Sequence, residues 1–264
     1  MSNLQDMTLA FIGSGVTAEA MINRILNQEL IDPSHMIASG PRPERGQELA
    51  ERYGVKGTAD NRQAAETAQI VVLSARPQVL PGVLRELHRA IVPDGLVLSI
   101  VAGARIKAIA EGLGHAAVVR VMPNTPAQIG QGMSVWTATP EVSDEQRAQA
   151  QSILQALGEE IYVKDEDYLD RATALSGTGP AYVFLFMEAL IDAGVHLGFS
   201  RRVARQLVLQ TLQGSVAFAR RSVSHPAELR NMVTSPGGTS AEALYQLEKG
   251  GVRTVLSRAI WAAH

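Results

Sequence analysis

Four hydroxyl side chains and two adjacent glycines lie together near the C-terminus, in the segment Val233-Thr234-Ser235-Pro236-Gly237-Gly238-Thr239-Ser240. An apolar helical pattern begins directly after this segment. Glycines allow backbone N–H groups to turn toward one point, and a helix start adds unpaired N–H groups and the positive end of the helix dipole. The segment is therefore a candidate site for a small anion such as a carboxylate. An ordinary helix–helix turn with a Ser or Thr N-cap would have the same composition.

A second candidate site is a glycine-rich loop near the N-terminus. The apolar run Met7–Ile12 is followed by Gly13-Ser14-Gly15-Val16-Thr17-Ala18, after which apolar residues recur at helical spacing. A strand, Gly-x-Gly-x-x-Ala and a helix, in this order, are typical of a dinucleotide-binding unit. Gly13 allows the tight turn, Gly15 lets a pyrophosphate reach the backbone, and Ala18 lets helix and strand pack closely.

Arginines follow the second predicted strand, Met36–Ser39. In NAD-dependent enzymes an acidic residue at this position binds the ribose 2′-hydroxyl, whereas here the strand ends in Ser39 and is followed by Pro41, Arg42 and Arg45. Cations suit a 2′-phosphate. We therefore expect NADPH to be the preferred cofactor and NADH the second choice, although a solvated turn would also accommodate Arg42.

Three further short apolar runs predict strands: Ile70–Leu73, Leu96–Ile100 and Val118–Met122. Because these runs are nearly continuously apolar and are separated by helical patterns, they indicate a parallel sheet covered on both faces. We predict an α/β fold in which residues 1–164 form a Rossmann-like domain with a doubly wound parallel sheet.

Ligands of such a sheet bind beyond the carboxyl ends of its strands, so the loops that follow the strands are expected to meet in one crevice. In the loop after the fifth predicted strand, Pro123-Asn124-Thr125-Pro126, the asparagine amide is expected to approach a nicotinamide ring, although two prolines would also stiffen a plain turn. We predict that the cofactor contacts Gly13, Ser14, Gly15, Val16, Thr17, Ala18, Ser39, Pro41, Arg42, Asn61, Ser74, Ala75, Arg76, Pro77, Ile100, Val101, Ala102, Gly103 and Asn124.

From about Asp165 onward the strand pattern stops, and residues 165–264 are predicted to form an all-helical domain. The helix that follows Thr178-Gly179-Pro180 is apolar around most of its circumference, which is typical of a helix buried on all sides. A domain of about 100 residues rarely buries a helix so completely. We therefore expect a homodimer in which helices of the partner enclose it.

The composition argues against several classes of protein. The net charge is −2 with no long run of like charge, so nucleic-acid binding is not expected. The chain has no cysteine, and its six histidines show no ligand-like spacing, so no metal site is expected. The apolar run Ala181–Val195 contains two carboxylates and is short for a bilayer. We expect no membrane association and, since no leader pattern precedes the first strand, a cytoplasmic protein.

Several segments resemble the pyrroline-5-carboxylate reductase family. The likeness is strongest in Ala174–Tyr182 and Val233–Thr239. It continues in Met122–Pro126, Asp192–Val195, Gln210-Thr211, His225–Arg230 and Leu247–Arg253, and so extends over essentially the whole chain.

This resemblance implies that the chain reduces the cyclic imine of pyrroline-5-carboxylate to L-proline with NADPH or NADH, the last step of proline biosynthesis. It implies a homodimer through the C-terminal helices, and larger assemblies up to a decamer of dimers occur in the family. Ser240 matches a family threonine that hydrogen-bonds the imine nitrogen, so Ser240, together with Thr239, is the implied catalytic group. The implied substrate-binding residues are Ser235, Gly237, Gly238, Thr239 and Ser240.

Two departures from the family pattern leave alternatives open. Val16-Thr17 stands where the family usually has Asn-Met, and Arg76 stands where it usually has lysine. The first departure would suit a non-catalytic, nucleotide-binding regulatory paralogue. A β-hydroxyacid dehydrogenase would also combine a dinucleotide domain with helices, but it needs a catalytic lysine where this chain has Ser176–Pro180.

Overall fold

The computed structural model describes residues 4–264 and divides the chain into two compact units. The first unit ends at Thr178, and the second comprises Gly179–His264. The division falls after the predicted boundary at residues 164–165, which stays a prediction. Strands occur only in the first unit of the described chain.

Eight strands in residues 4–264 form one sheet with the order β3-β2-β1-β4-β5-β6-β7-β8. They are β1 (Leu9–Ile12), β2 (Met36–Ser39), β3 (Lys56–Thr58), β4 (Ile70–Leu73), β5 (Leu96–Ser99), β6 (Val118–Met122), β7 (Gly132–Ala138) and β8 (Gly158–Tyr162). Neighbouring strands from β3 to β6 are parallel, whereas β7 is antiparallel to β6. The predicted Rossmann-like fold is confirmed, with two strands added, β7 and β8, which are parallel to each other and run opposite to the other six.

Helices cover both faces of this sheet. In β1, Leu9 and Phe11 join one buried cluster, and Ala10 and Ile12 join a second cluster on the opposite face. The helices of this unit are α1 (Val16–Asn27), α2 (Pro43–Tyr53), α3 (Asn61–Glu66), α4 (Leu80–Glu86), α5 (Ile106–Leu113), α6 (Asp144–Gln155) and α7 (Asp167–Ala172). Burial on both faces is the reason why the central strands β1 and β4 are apolar throughout.

A buried arginine attaches α7 to the sheet. Arg120 in β6 is 3% exposed, and its guanidinium contacts Glu166 Oε1 at 2.7 Å and Asp170 Oδ1 at 2.9 Å. Glu166 Oε1 also accepts a hydrogen bond from the Ile106 N–H at 2.8 Å. These bonds explain why α7 packs with the first unit although it lies within the predicted helical domain.

The second unit consists of α8 (Gly179–His196), α9 (Arg201–Arg221), α10 (Pro226–Met232), α11 (Thr239–Lys249) and α12 (Val252–Ala263). Within this unit Ala204 is the one buried residue, and it lies against Gly194 where α8 approaches α9. Large apolar side chains of α8 are exposed, among them Phe184, Leu185 and Phe186. As a single copy, the unit leaves most of its apolar surface uncovered.

Residues Asp167–His196 form a helical stretch of 30 residues, and the most apolar part of this stretch has a mean hydropathy of 1.4. By length and composition alone, this stretch is sufficient to cross a membrane. The expectation of no membrane association, which was based on the shorter apolar run Ala181–Val195, stays a prediction. A helix enclosed by other protein has the same length and composition.

Candidate active site

The loops that follow β2, β1, β4, β5 and β6 lie side by side, because these strands are parallel neighbours in the sheet. They contain all the predicted cofactor-binding residues except Ser39, which ends β2, the α1 residues that continue the glycine loop, and Asn61, which begins α3. The structure therefore brings the predicted cofactor residues to one edge of the sheet, as expected for a dinucleotide site.

Gly13 is fixed between the loops of two neighbouring strands. Its φ is +109°, and a Cβ at this position would lie 2.7 Å from the Ala75 nitrogen and 2.8 Å from the Ser74 carbonyl carbon. Its N–H donates to the Ser39 carbonyl at 2.9 Å, and the Ser74 hydroxyl donates to the Gly13 carbonyl at 2.7 Å. Backbone conformation and close approach both require glycine here.

The start of α1 has the properties of a pyrophosphate site. Gly15 is the N-cap residue, and a Cβ added there would meet no atom within 4 Å. The N–H groups of residues 14–18 have no hydrogen-bond acceptor within the described chain. Open space beside unpaired N–H groups at a helix N-terminus fits the phosphates of a dinucleotide.

Ser39 is fully buried at the end of β2, and its hydroxyl donates to Asn61 Oδ1 at 2.7 Å. The Asn61 amide in turn donates to Glu86 Oε2 at 2.9 Å. The Ser39 hydroxyl therefore donates its hydrogen bond to another side chain of the protein. Beyond Ser39, Pro41 and Arg42 are exposed, and the Arg42 side chain has no polar partner within residues 4–264.

The Arg45 side chain, in contrast, forms hydrogen bonds and ion pairs with other residues of the protein. Its side chain is 14% exposed, and its Nε donates to the Ser14 carbonyl at 3.0 Å. It forms ion pairs with Glu19 and, at 2.7 Å, with Glu48. The expectation that both arginines are available to a 2′-phosphate is therefore wrong for Arg45, because two carboxylates neutralise it, and Arg42 is the free cation.

Glu19 accepts hydrogen bonds from three side chains of α2. These donors are Arg45, Arg52 at 2.7 Å and the Tyr53 hydroxyl at 3.0 Å. The bond from Arg45 is the largest of the effects that hold the pKa of the Glu19 carboxyl below its usual value. This carboxylate therefore joins α1 to α2 directly beside the glycine loop.

The loops after β4 and β5 lie at the same edge of the sheet as the glycine loop. Arg76 and Pro77 are exposed, Ala75 is half-buried, and the Arg76 side chain has no polar partner in the part of the chain that the structure describes. In the next loop, Val101 is buried and Ile100 half-buried, whereas Ala102 and Gly103 are exposed. Arg76 is thus a second free cation at the edge where the cofactor residues meet.

The Asn124 amide makes two hydrogen bonds within the protein, and its approach to a nicotinamide ring stays a prediction. The Nδ2 group donates to the Ser176 carbonyl at 3.1 Å, and Oδ1 accepts from the Met133 N–H at 2.9 Å. Because both polar atoms are used within the protein, the side chain positions the loop after β6. The residue nevertheless lines a cleft of about 220 Å³, together with Thr17, Ala20, Met21, Ile100, Met122, Pro123, Thr125, Ala127, Gln128, Leu157 and Gly177.

Of the residues that line this cleft, the sequence predicts only Thr17, Ile100 and Asn124 as cofactor-binding residues. Met21 lies one helical turn beyond Thr17, and Thr125 begins a short 3₁₀ turn after β6. Met21 could be predicted from its helical spacing to Thr17, and Thr125 from the prolines on either side of it.

In the second unit, the segment between α10 and α11 has the backbone form expected of an anion site. Gly237 has φ +69°, and Gly238 is the N-cap of α11. The N–H groups of Gly237, Thr239 and Ser240 have no acceptor within residues 4–264. Gly238 differs from the expectation, since its N–H donates to the Ser235 carbonyl at 3.0 Å and closes the turn.

Three hydroxyl groups of this segment are also available. Thr234 donates its hydroxyl to the Arg230 carbonyl at 2.7 Å. The hydroxyls of Ser235, Thr239 and Ser240 have no partner in the described part of the chain. Unpaired N–H groups and unpaired hydroxyls are thus concentrated in the first turn of α11, where the helix dipole also favours an anion.

No group of three or more histidine, aspartate or glutamate side chains in residues 4–264 is arranged to hold a metal ion.

A Rossmann-like sheet with an open glycine loop, followed by a helical unit, is typical of a dinucleotide-dependent oxidoreductase. Residues 8–103 match the family model of NADP oxidoreductases described as coenzyme F420-dependent, and residues 166–264 match the pyrroline-5-carboxylate reductase dimerisation model. The chain is 39% identical over 256 residues to the pyrroline-5-carboxylate reductase of Synechocystis sp., covering 97% of this chain and 95% of that protein. The chain belongs to the pyrroline-5-carboxylate reductase family.

Solved structures agree with this assignment. The pyrroline-5-carboxylate reductase of Coxiella burnetii is 36% identical with a TM-score of 0.89, and the alignment covers 97% of this chain and 96% of that one. The Plasmodium falciparum enzyme, solved with NADP bound, is 32% identical with a TM-score of 0.90, covering 98% of this chain and 96% of that one.

Proposed function

We propose that this chain reduces 1-pyrroline-5-carboxylate to L-proline with NADPH. The observation that carries the proposal is the first turn of α11, where the free N–H groups of Gly237, Thr239 and Ser240 adjoin unpaired hydroxyls. Such a turn suits a substrate that has a carboxylate beside a weakly basic nitrogen. Relatives that match the chain over nearly its full length are named for this reaction.

The cofactor supplies the hydride. The chain's own residues bind and orient it. The N–H groups of residues 14–18 bind the pyrophosphate at the start of α1, and the open space at Gly15 admits it. Arg42 is the cation available to the 2′-phosphate, which makes NADPH the preferred form and NADH a weaker one. Arg76 adds positive charge at the same edge.

The substrate is held through its carboxylate and its nitrogen. The N–H groups of Gly237 and Thr239, with the Ser235 hydroxyl, bind the carboxylate. The Ser240 hydroxyl, helped by Thr239, donates to the imine nitrogen, which makes the adjacent carbon a better hydride acceptor. The distance and angle between the nicotinamide ring and the imine carbon then account for most of the rate, so no strongly basic side chain is needed.

The assembly is part of the proposal. The helical unit is the family's dimerisation domain, and its exposed apolar residues on α8 require a cover. A second copy of the same unit, forming a homodimer through the C-terminal helices, supplies that cover, and such dimers are the building block for a decamer of dimers. The cytoplasmic location predicted from the sequence belongs to the same proposal.

The relatives do not favour the two alternatives, the regulatory paralogue and the β-hydroxyacid dehydrogenase, because proteins that match the chain over its whole length are named reductases.

The experiment is to follow oxidation of NADPH, and separately NADH, by the purified protein with pyrroline-5-carboxylate, and to identify proline as the product. Oxidation that depends on the imine, faster with NADPH at low cofactor concentration, is the expected result. A protein that binds NADPH but yields no proline would overturn the proposal.

A further inference from the structure

A nearly buried arginine joins the glycine loop to α2. Arg45 uses all three guanidinium nitrogens: Nε donates to the Ser14 carbonyl at 3.0 Å, Nη2 pairs with Glu19, and Nη1 pairs with Glu48 at 2.7 Å. The three acceptors lie in three different directions around one planar group. Lysine has a single nitrogen and cannot reproduce this fork.

The bond to the Ser14 carbonyl determines where the next N–H points. Ser14 lies between the two glycines of the loop, and the Ser14–Gly15 peptide is planar and trans. Its carbonyl and its N–H therefore point in opposite directions. With the carbonyl held by Arg45, the Gly15 N–H faces away from α2, and it has no acceptor within residues 4–264.

The loop around the Ser14–Gly15 peptide is packed on one side and open on the other. A Cβ on Gly40 would collide with the Ser14 hydroxyl oxygen, so the loop also packs against the chain that leads into α2. On the other side, a Cβ on Gly15 would meet nothing within 4 Å, so there is open space beside the residue whose N–H has no acceptor in residues 4–264. Rotation of the peptide would exchange its N–H for a carbonyl oxygen, which repels phosphate.

We propose that Arg45 is a positioning residue that holds the Ser14–Gly15 peptide so that its N–H binds the cofactor pyrophosphate. The inference rests on the proposed function in that it takes a nicotinamide dinucleotide as the ligand. Arg45 itself does not bind the 2′-phosphate, because the carboxylates of Glu19 and Glu48 occupy its guanidinium. That role falls to Arg42, three residues earlier on the same turn.

The two arginines therefore affect different parts of the cofactor. Arg45 acts on the pyrophosphate, which NADPH and NADH share. Arg42 acts on the 2′-phosphate, which NADH lacks. Adenosine 2′-monophosphate has the 2′-phosphate without the pyrophosphate, so these three ligands separate the two roles.

The experiment measures the Kd of NADPH, NADH and adenosine 2′-monophosphate by calorimetry for the wild type and for R45K. We expect R45K to raise the Kd of NADPH and of NADH by the same factor, about tenfold, as for loss of one charge-assisted hydrogen bond. The Kd of adenosine 2′-monophosphate stays within about twofold. In turnover, the KM for NADPH rises while kcat at saturating cofactor is nearly unchanged.

Two further variants guard against a general loss of structure. E48Q removes an ion pair of Arg45 on the solvent side and leaves the Ser14 bond in place, so all three Kd values stay within about twofold. E19Q weakens the anchor of Arg45 and raises the Kd of both dinucleotides by a smaller, equal factor. Because adenosine 2′-monophosphate binds only folded protein, it also reports whether each variant is folded.

Unchanged binding of NADH by both R45K and E19Q would overturn the inference, as would an equal loss for adenosine 2′-monophosphate. The titrations need no imine. A protein that shows the predicted Kd pattern but does not reduce pyrroline-5-carboxylate would refute the proposed function and leave the role of Arg45 intact.

Discussion

Ser240 is the side chain on which the proposed chemistry depends most. It is the second residue of α11, half-buried, and its hydroxyl has no partner within residues 4–264. Ser240→Ala should lower kcat with pyrroline-5-carboxylate by about tenfold to a hundredfold, as for loss of one donor to developing charge. The Kd of NADPH should not change. Ser215→Ala, which removes a hydroxyl bonded within α9, is the control, and an equal rate for both variants would remove the assigned role.

Arg42 is predicted to select the phosphorylated cofactor. Because its side chain is exposed and unpaired in the described chain, its removal breaks no bond within the protein. Arg42→Ala should raise the KM for NADPH by about tenfold or more and leave that for NADH within about twofold. Arg62→Ala, which breaks an exposed ion pair with Glu66, should affect neither. Equal losses for both cofactors would mean that Arg42 has only a structural role.

Glu19 should make stability depend on pH. Its pKa in the folded protein is lowered, chiefly by the hydrogen bond from Arg45, so its contribution is fully present above its unfolded pKa and is lost as the pH falls through the folded value. In urea unfolding, Glu19→Gln should cost about 1 kcal/mol at pH 7. This cost should shrink below about pH 4. Glu111→Gln, at an exposed carboxylate of α5, should show no such trend, and a cost for Glu19→Gln that is constant with pH would contradict the assignment.

At the scale of elements, α7 depends on one buried charge. Arg120 is 3% exposed and pairs with Glu166 and Asp170, so Arg120→Met would leave these carboxylates with only the exposed Arg105 as a cationic partner. We expect a loss of about 3 kcal/mol or more in the free energy of unfolding. Arg105→Ala breaks exposed pairs with the same helix and should have a smaller effect. Similar losses for the two variants, measured by urea unfolding, would contradict this account.

The elements that sequence reasoning predicted are those with a strong local signal. β1 and β4 are continuous apolar runs, and β5 departs from one only at Ser99. β3 was missed because Lys56-Gly57-Thr58 has no apolar run and depends on pairing with β2. The direction of β7 could not be predicted either, because strand orientation is a property of the whole sheet.

In the site, too, features formed by consecutive residues could be predicted from the sequence, whereas contacts between distant residues could not. The glycine loop and the start of α11 were predicted because their chemistry lies in consecutive residues. The roles of Arg45 and Asn124 were not, since their partners are 31 and 52 residues away in the sequence. Whether a side chain faces a ligand or another part of the protein depends on such contacts.

At the scale of the whole molecule, the second unit requires a partner. Several large side chains of α8 are exposed, including Leu185 at 67%. Burying each such side chain contributes about 1.5–3 kcal/mol. Leu185→Glu should therefore shift the protein toward smaller species in analytical ultracentrifugation, whereas Ile161→Glu on the edge strand β8 should not. A monomeric wild type, or the same assembly for Leu185→Glu, would contradict the proposed dimer.

We propose that the protein transfers a hydride from NADPH to the imine carbon of pyrroline-5-carboxylate. The most direct measurement uses NADPH carrying deuterium at both C4 positions of the nicotinamide ring and locates the label in the proline by mass spectrometry and NMR. We predict one deuterium, on the ring carbon bonded to nitrogen that does not carry the carboxylate. Unlabelled proline, or no proline from a protein that binds NADPH, would contradict the account.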